Sequence, residues 1–497
     1  MVSSFLLVSL NIDVILGEVT LYQRRKKLDE MTKAEGLGDA YAATLSRMKA
    51  QSRSRSKLGM EVLMWVSHAE RPLHVDELCH ALGVEEGSID LNTRNIPAME
   101  ILLACSLGLV MVEKSSSTVR LVHYTLQEYF SQNPNLFLEP HSMIAEVCLT
   151  YLNFRHVRGF SPALRSVPLT TPFVEYASCH WGTHARRGNT ERVKTLALKL
   201  LEGYDKHISS KILLLRGLDI WDRPFDLEDI PTGFTGLHGA AYLGYMEIIA
   251  ALLETNKWDV HAADIHGNTA IAWAASRGHE GVVIALLQRS GIDPDTSDRI
   301  HGRTPLIMAI QNGHKEVVRI LLERNDINPN KPDKWSRTPL LLAAENGLEG
   351  VVKMLLERKD INPNTAASKY SQTPLRWAAA NGHEGVVRIL LERKDVNPDK
   401  EDEWGRTPVS LAAKNGHEGV VRILLERKDL NPDTAHTEYG RTPLQLADKK
   451  GDERTAKFLR ERGHLIPKYA ASIRSTGSPT SEPSGPSGPP SKRVRRF

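Results

Sequence analysis

The C-terminal half of the chain repeats one pattern of apolar and polar positions seven times. A Thr-Pro-Leu segment, or a close variant of it, recurs at spacings of 34 or 35 residues. The threonines of these segments are Thr235, Thr269, Thr304, Thr338, Thr373, Thr407 and Thr442. A period of this length indicates a stack of similar units, each of which buries its apolar face against the next.

Each repeat predicts two short helices and a loop. Threonine caps a helix and proline suits its first turn. Small alanines such as Ala343 and Ala344 allow close packing, and a glycine such as Gly347 can end the helix with a positive φ. A second helix follows, for example "HEGVVRILLERK", with its apolar residues on one face. An Asn-Pro pair then begins a polar loop that returns to the next threonine.

The TPL, AA, NGH and VVRILLE segments resemble the ankyrin consensus across residues 233–463. The resemblance implies an α-solenoid with β-hairpin-like loops that binds partner proteins. One departure is that the second helices end in Arg-Lys-Asp, as at Arg393 to Asp395, so the usual glycine stop is missing. The last unit carries Asp448 and two lysines, and a polar face of this kind suits a terminal repeat.

Upstream, residues 57–140 read as two helices around Pro72, then a helix, a strand, a Ser-rich turn, a strand and a helix, which is the order of a winged helix. "RPLHVDELCHAL" and "VRLVHYTLQEYF" resemble the GPI-inositol-deacylase-type winged helix that follows the NACHT module in fungal NACHT–ankyrin proteins, which are NLR-like STAND proteins. Residues 5–50 resemble the last helices of such a NACHT module. The resemblance implies a sensor in which the repeats recognise a ligand and the winged helix relays to a nucleotide switch.

His123 occupies the position where the related winged helices place a nucleotide-sensing histidine. Tyr124 replaces the aspartate that often follows it, so a structural role between strand and helix is the competing interpretation.

The fold class predicted from these patterns is mainly α, with a helical and winged-helix N-terminal half before the ankyrin solenoid. We predict a NACHT-like helical remnant at 1–55, a winged helix at 56–140, a helical linker domain at 141–230, seven repeats at 231–465 and a disordered basic tail at 466–497. The basic cluster in that tail is either a nuclear-localisation signal or a solubilising end.

Charge and cysteine content narrow the class of partner. The 64 Lys and Arg residues nearly balance the 60 Asp and Glu residues, so nothing favours nucleic acid or an anionic membrane. Four scattered cysteines predict reduced thiols, no zinc site and a cytoplasmic location. The apolar N-terminus is interrupted by Asn11 and Asp13 and is shorter than a membrane span of about 20 residues, so we predict a buried helix there.

No motif predicts catalysis. A nucleotide switch needs a phosphate loop ending in Gly-Lys, and the chain contains no Gly-Lys pair. It also contains no Gly-x-Ser-x-Gly elbow of the kind that serine hydrolases use. We therefore expect no enzyme, no cofactor and no metal. The alternative function is a truncated product of a nucleotide-gated oligomerising switch whose phosphate loop lies upstream or is lost.

The loops offer the candidate partner-binding residues. Three positions before the threonine, six successive repeats carry a ring: His266, His301, Trp335, Tyr370, Trp404 and Tyr439. Directly before the threonine, four repeats carry an arginine: Arg303, Arg337, Arg406 and Arg441. Aromatic and arginine side chains are enriched in interaction hot spots, so we predict binding by this row together with the concave face of the first helices. A structural ladder of rings and arginines is the alternative.

Overall fold

The structure, a computed structural model, describes residues 19–26, 37–160, 168–217, 233–255, 257–365, 372–427, 430 and 441–463. The chain divides into two compact units. The first unit comprises Met1–Ala343 and Lys353–Ile361, and the second comprises Ala344–Val352 and Asn362–Phe497. The described part is mainly α, which confirms the predicted fold class.

The N-terminal part of the first unit is a winged helix, as predicted. After α1 (Leu37–Lys49), its elements are, in order, α2 (Arg53–His68), β1 (Leu73–His74), α3 (Val75–Leu82), α4 (Met99–Cys105), β2 (Val110–Glu113), β3 (Thr118–Leu121) and α5 (Tyr124–Gln132). The strands pair antiparallel in the order β1-β3-β2, with Val119 opposite both Leu73 and Val112. Leu63 and Leu78 lie buried among the helices, so the apolar positions of α2 and α3 form the core of this part.

The outward side of α4 carries Glu100 and Ile101, and 49% of Ile101 is exposed. DNA-binding domains of this class present cationic and amide side chains from the equivalent helix to phosphates and base edges. Because α4 has an acidic and apolar exposed side, it lacks that chemistry.

A helical region follows the winged helix in the first unit. Its helices are α6 (Pro140–Leu152), α7 (Arg155–Arg158), α8 (Val174–Arg187), α9 (Glu191–Leu201) and α10 (Ile208–Gly217). The buried ring of Trp65 in α2 lies edge-on to Phe173 at 5.6 Å and to Tyr176 at 6.1 Å. These rings bury α2 against the start of α8, so the winged helix and the following helices share one apolar core.

Seven helix pairs follow among the described residues. The first helices of the pairs are α11 (Gly236–Leu243), α13 (Ala270–Arg277), α15 (Pro305–Gln311), α17 (Pro339–Glu345), α19 (Pro374–Asn381), α21 (Pro408–Asn415) and α23 (Pro443–Lys450). The second helices are α12 (Met246–Glu254), α14 (Glu280–Leu287), α16 (Lys315–Leu322), α18 (Glu349–Glu357), α20 (Glu384–Glu392), α22 (Glu418–Leu425) and α24 (Glu453–Gly463).

The ends of these helices follow the predicted capping chemistry. The hydroxyl of Thr304 accepts a hydrogen bond from the amide of Ile307 at 3.2 Å, and Thr373 accepts one from Arg376 at 3.3 Å. At the other end of α19, Gly382 has a φ of 78°, a conformation that residues with a side chain rarely adopt. Local chemistry therefore sets both ends of the first helices.

In four repeats, a histidine follows the glycine that ends the first helix, and its ring ties one repeat to the preceding one. The Nε2 atom of His279 lies 2.9 Å from the carbonyl oxygen of Tyr242 in the preceding repeat. In the second unit, Nε2 of His417 lies 3.0 Å from the carbonyl oxygen of Ala380. Each ring thus satisfies a carbonyl that the end of the preceding first helix leaves without an intrahelical partner.

The arginine that replaces the usual glycine stop forms a second link. In the first unit, one guanidinium nitrogen of Arg358 donates to the carbonyl oxygen of Leu322 at 2.8 Å, in the preceding second helix. The other face of Arg358 forms a fork with Asp360, at 3.0 and 2.7 Å. Arg427 reaches Leu391 in the same way in the second unit. The Arg-Lys-Asp segment therefore ends a helix by joining it to its neighbour.

Among the described helices, none combines the length and the apolar character that crossing a membrane requires.

Candidate functional site

A buried aspartate organises the loops that precede the first helices. We call Asp264, Asp298, Asp333 and Asp402 the loop aspartates; each is at most 6% exposed. They stand five or six residues before the repeat threonine, and the sequence analysis did not single them out. An acidic residue at this position in four loops was the signal that could have found them.

The loop aspartate holds both the ring residue and the arginine of its own loop. In the first unit, Asp333 accepts hydrogen bonds from the amides of Trp335 and Arg337, at 2.9 and 2.8 Å, and from Nε of Arg337 at 2.8 Å. Asp298 accepts from the amides of His301 and Arg303 and from Nε of Arg303 at 2.9 Å. The carboxylates of the loop aspartates therefore compensate the positive charge of these arginines.

Asp264 serves a loop that has no arginine. Its carboxylate accepts from the amides of His266 and Asn268, each at 2.9 Å, and from Nε1 of Trp273 at 2.9 Å. The indole of Trp273 is 4% exposed, which places it in the core.

In the second unit, Asp402 binds two arginines. Its carboxylate accepts from Nε of Arg406 at 2.7 Å and from Nε of Arg376 at 3.0 Å. It also accepts from the amides of Trp404 and Arg406. Arg376 lies on α19 and is 5% exposed, so Asp402 is the counter-charge of a buried cation. Burial lowers the pKa of Arg376, and Asp402 opposes that shift.

Two of the arginines that the loop aspartates hold lie over the rings of their own loops. The Arg337 guanidinium carbon lies 4.9 Å from the Trp335 ring centre in the first unit, and that of Arg406 lies 4.1 Å from the Trp404 ring centre in the second. Both distances are within the range of a cation–π contact. Each arginine therefore has its aspartate on one side and its ring on the other.

Neighbouring loops of the first unit are also joined to each other. The amide of Arg299 donates to the carbonyl of His266 at 2.6 Å, and the amide of Lys334 donates to that of His301 at 2.8 Å. The rings of His301 and Trp335 stack with their centres 5.1 Å apart. These contacts favour the structural ladder, but 53% of the Trp335 side chain remains exposed. The ring of Trp335 therefore packs on His301 and still exposes about half of its surface to solvent.

Burial shifts both imidazoles of this surface toward their neutral form. Burial lowers the pKa of His266 below its ordinary value, with the nearby aspartates opposing the shift. Burial and then the Arg303 charge lower the pKa of His301. Burial alone would raise the pKa of Asp298, but the amide of His301 and the guanidinium of Arg303 bring it below its usual value.

The remaining candidate partner-binding residues are Tyr370, Tyr439 and Arg441. Tyr370 and Tyr439 lie outside the described residues. Arg441 directly precedes Thr442, the N-cap residue of α23, and is partly buried.

His123 caps α5. Its Nδ1 accepts from the amide of Thr125 at 3.3 Å and lies 2.8 Å from the hydroxyl of the same residue. That hydroxyl also contacts the phenol of Tyr41 in α1 at 2.7 Å. These bonds give His123 a structural place between β3 and α5, in line with the competing interpretation of this residue.

Ser336 is strained at the tip of its loop. It has a φ of 60°, whereas glycine occupies the equivalent positions 267, 302 and 405, with φ of 82°, 70° and 68°. A side chain in this conformation costs about 1 kcal/mol. We therefore expect Ser336→Gly to raise the thermal midpoint and the reciprocal Gly405→Ser to lower it, each by the equivalent of about 1 kcal/mol. A scanning calorimeter measures both, and equal midpoints for the two variants would contradict the strain.

Comparison with known families matches five overlapping stretches of the chain to ankyrin repeats (3 copies): residues 183–298, 237–333, 290–367, 327–402 and 375–468. Residues 45–139 match the winged helix domain of GPI inositol-deacylase.

Among solved structures, the human ASB11 ankyrin repeat domain is 24% identical, with a TM-score of 0.39 and coverage of 46% of this chain and 96% of that chain. The ankyrin repeat domain of Bcl-3, a member of the IkappaB protein family, is 23% identical, with a TM-score of 0.40 and coverage of 45% and 97%. No match is found among curated proteins.

The first ankyrin match begins at residue 183, inside α8, in the region that the sequence analysis assigns to a helical linker domain. The segment "RRGNTERVKTLALKLL" there follows the order of "KNGHEGVVRILLERK" in the later repeats. Thr190 caps α9, which begins one residue later, by accepting from the amide of Val193 at 3.1 Å. The order of α8 and α9 therefore resembles that of the later pairs, although the Thr-Pro signal is absent here.

Proposed function

The chain belongs to the ankyrin-repeat family, and from that premise we propose that it is a non-enzymatic scaffold that binds partner proteins through its repeats. The binding residues of this proposal are the ring and arginine rows of the loops. The first-helix face is the second contact surface.

The observation that carries the proposal is the exposed, pre-positioned ring of Trp335. Asp333 holds its backbone, the Arg337 guanidinium lies over it and His301 stacks against it, yet 53% of the side chain is exposed. A side chain that is already ordered loses little conformational entropy on binding, so its burial contributes more to affinity. Tryptophan and arginine are also the residue types most enriched in hot spots.

The charge arrangement indicates the kind of partner. The arginines of the described loops are paired with loop aspartates, and the pKa values of His266 and His301 are lowered. A surface with compensated charge favours apolar and hydrogen-bonding groups on the partner over a polyanion. We propose a protein partner and expect no nucleic acid.

The proposal is tested by replacing Trp335, Tyr370 and Trp404 together with alanine. Proteins crosslinked in cells to the wild-type chain are compared with those crosslinked to this triple variant. Tyr124→Ala is the matched control, because Tyr124 is an exposed aromatic residue, at 69%, outside the repeats. We expect a partner that the control retains and the triple variant loses, with the thermal midpoints of both variants close to that of the wild type. Retention of every partner by the folded triple variant would make the rings a ladder only.

A finer proposal concerns the signalling context. The winged-helix match and the resemblance of residues 5–50 to the end of a NACHT module support a regulatory part of an NLR-like protein. In that role His123 would sense a nucleotide held by a NACHT module. The alternative, a truncated product of a nucleotide-gated switch, requires an in-frame phosphate loop encoded upstream of Met1.

The domain division proposed for this role remains that of the sequence analysis: residues 1–55, 56–140, 141–230, 231–465 and 466–497. The proposed compartment is the cytoplasm, with the basic tail as a route to the nucleus.

A further inference from the structure

A cavity of about 690 Å³ opens in the first unit, away from the repeat loops. It lies between the loop of residues 87–89 and helices α6, α7 and α9. Four cationic side chains line it: Arg155, Arg158, Arg192 and Lys199. This volume is in the range of sites that hold small molecules.

The four cations differ in how their charge is compensated. Arg192 is paired, since its guanidinium contacts Glu86 and its Nε lies 3.3 Å from Glu146. In contrast, Arg155, Arg158 and Lys199 form no ion pair within the described part of the chain. The carboxylate of Asp90 attracts Arg155 without forming an ion pair with it, and it already accepts two hydrogen bonds from His156, at 3.1 and 2.7 Å.

Asn153, which also lines the cavity, carries a buried acceptor that nothing satisfies within the described residues. The side-chain nitrogen Nδ2 of Asn153 donates to the carbonyl oxygens of Leu149 and Leu196, at 2.9 and 3.0 Å, which fixes the orientation of the side chain. Its Oδ1 atom is buried and has no hydrogen-bond partner in the described structure. An unsatisfied buried acceptor costs about 1–3 kcal/mol, and a donor on a ligand would remove that cost.

We propose that this cavity binds a small soluble molecule that carries phosphate groups and at least one hydroxyl or amino group. Arg155, Arg158 and Lys199 contact the phosphates, for which guanidinium and ammonium groups are the usual protein partners. Asn153 accepts a hydrogen bond from the hydroxyl or amino group, and Ile89 and Leu196 contact its carbon skeleton. The site is separate from the loops of the proposed function and does not depend on them.

Bound ligand would join elements that are distant in sequence. The loop of residues 87–89 belongs to the winged-helix part, whereas α7 and α9 belong to the helices that follow it. A ligand that contacts both stabilises this arrangement by an amount that rises with the logarithm of its concentration above the Kd. The ligand therefore raises the thermal midpoint of the chain.

Isothermal titration calorimetry with fructose 1,6-bisphosphate tests the proposal, because this probe carries two phosphates and free hydroxyls. In the full chain, we expect Arg158→Gln with Lys199→Gln to weaken binding at least about tenfold, and Arg155→Gln alone to weaken it measurably. The matched control is Lys49→Gln with Lys114→Gln, which removes the same charge from exposed positions outside the cavity and should change the affinity less than about twofold.

Two results would overturn the proposal: no binding of the probe by the folded wild type, or equal weakening in the cavity variant and the control. Vesicles that contain phosphatidylinositol 4,5-bisphosphate distinguish the other source of the same chemistry. If the chain binds these vesicles but not the free probe, its ligand is a lipid headgroup and not a soluble molecule. That result would contradict the proposal.

Discussion

Replacement of Asp402 by asparagine is expected to lower the opening free energy of the second unit by about 3–5 kcal/mol. The change keeps the shape of the side chain but removes the charge that compensates buried Arg376 and holds Arg406. A buried cation without its partner is far more costly than the pair is stabilising, because its lost hydration is no longer repaid. Hydrogen exchange of the amides in α21 measures the loss in the relevant region of the chain.

Two further variants separate this explanation from a general loss of packing. Asp395→Asn breaks an exposed pair with Arg393 in the same unit and should cost at most about 1 kcal/mol. The equivalent of Arg376 is Ile307 or Leu341 in two other repeats, so Arg376→Leu suits the site. We expect the double variant Arg376→Leu with Asp402→Asn to be more stable than Asp402→Asn alone. A double variant as unstable as the single one would contradict the role of the buried charge.

Acid is expected to destabilise the first unit between about pH 6.5 and pH 4. Burial lowers the pKa of His207 to about 4 and that of His279 to about 4, and it lowers the pKa of His184 to about 3. In the unfolded chain these groups regain an ordinary pKa of about 6.5. The unfolded state therefore binds more protons in this window, so stability falls as the pH falls.

The buried positions of these histidines explain the shifts. His184 is fully buried, with Nε2 lying 3.0 Å from the hydroxyl of Tyr176 and Nδ1 lying 2.9 Å from Nδ1 of His141. Nε2 of His207 lies 3.0 Å from the carbonyl oxygen of Leu152. A proton on either ring would place a charge in an apolar interior, and each group contributes about 1.4 kcal/mol per pH unit inside the window.

The pH dependence is measured as the urea midpoint of the full chain at a series of pH values from 7 to 4. His279→Gln removes one titrating group while its amide can still donate to the carbonyl of Tyr242, so we expect a shallower slope than in the wild type. Equal slopes in the variant and the wild type would show that His279 does not titrate on unfolding.

Much of the repeat architecture could be predicted from the sequence because each part of it depends on local chemistry. The capping bond at Thr304 and the positive φ of Gly382 depend on residues close in sequence, so both can be recognised from the sequence of a single repeat. The winged helix was predictable for the same reason, since its order of elements follows from the apolar periodicity around Pro72 and the Ser-rich turn.

Contacts between repeats were harder to predict. Arg358 joins a carbonyl that lies 36 residues earlier, and His279 joins one that lies 37 residues earlier, so neither partner is visible within one unit. From the sequence, the arginines before the threonines suggest a basic surface. The loop aspartates that compensate their charge are not part of the Thr-Pro repeat signal, so this pairing was not predicted. The cavity near Asn153 was not predictable at all, since its cations come from separate helices.

The central claim is that the loop rings of this ankyrin-repeat chain form a protein-binding surface. Its most direct test is a calorimetric titration of the purified partner, once crosslinking has identified it, into the wild type and into the variant with Trp335, Tyr370 and Trp404 changed to alanine. We expect at least about tenfold weaker binding by the variant, equivalent to about 1.4 kcal/mol, with its thermal midpoint unchanged. Equal affinity for the folded variant and the wild type would contradict the claim.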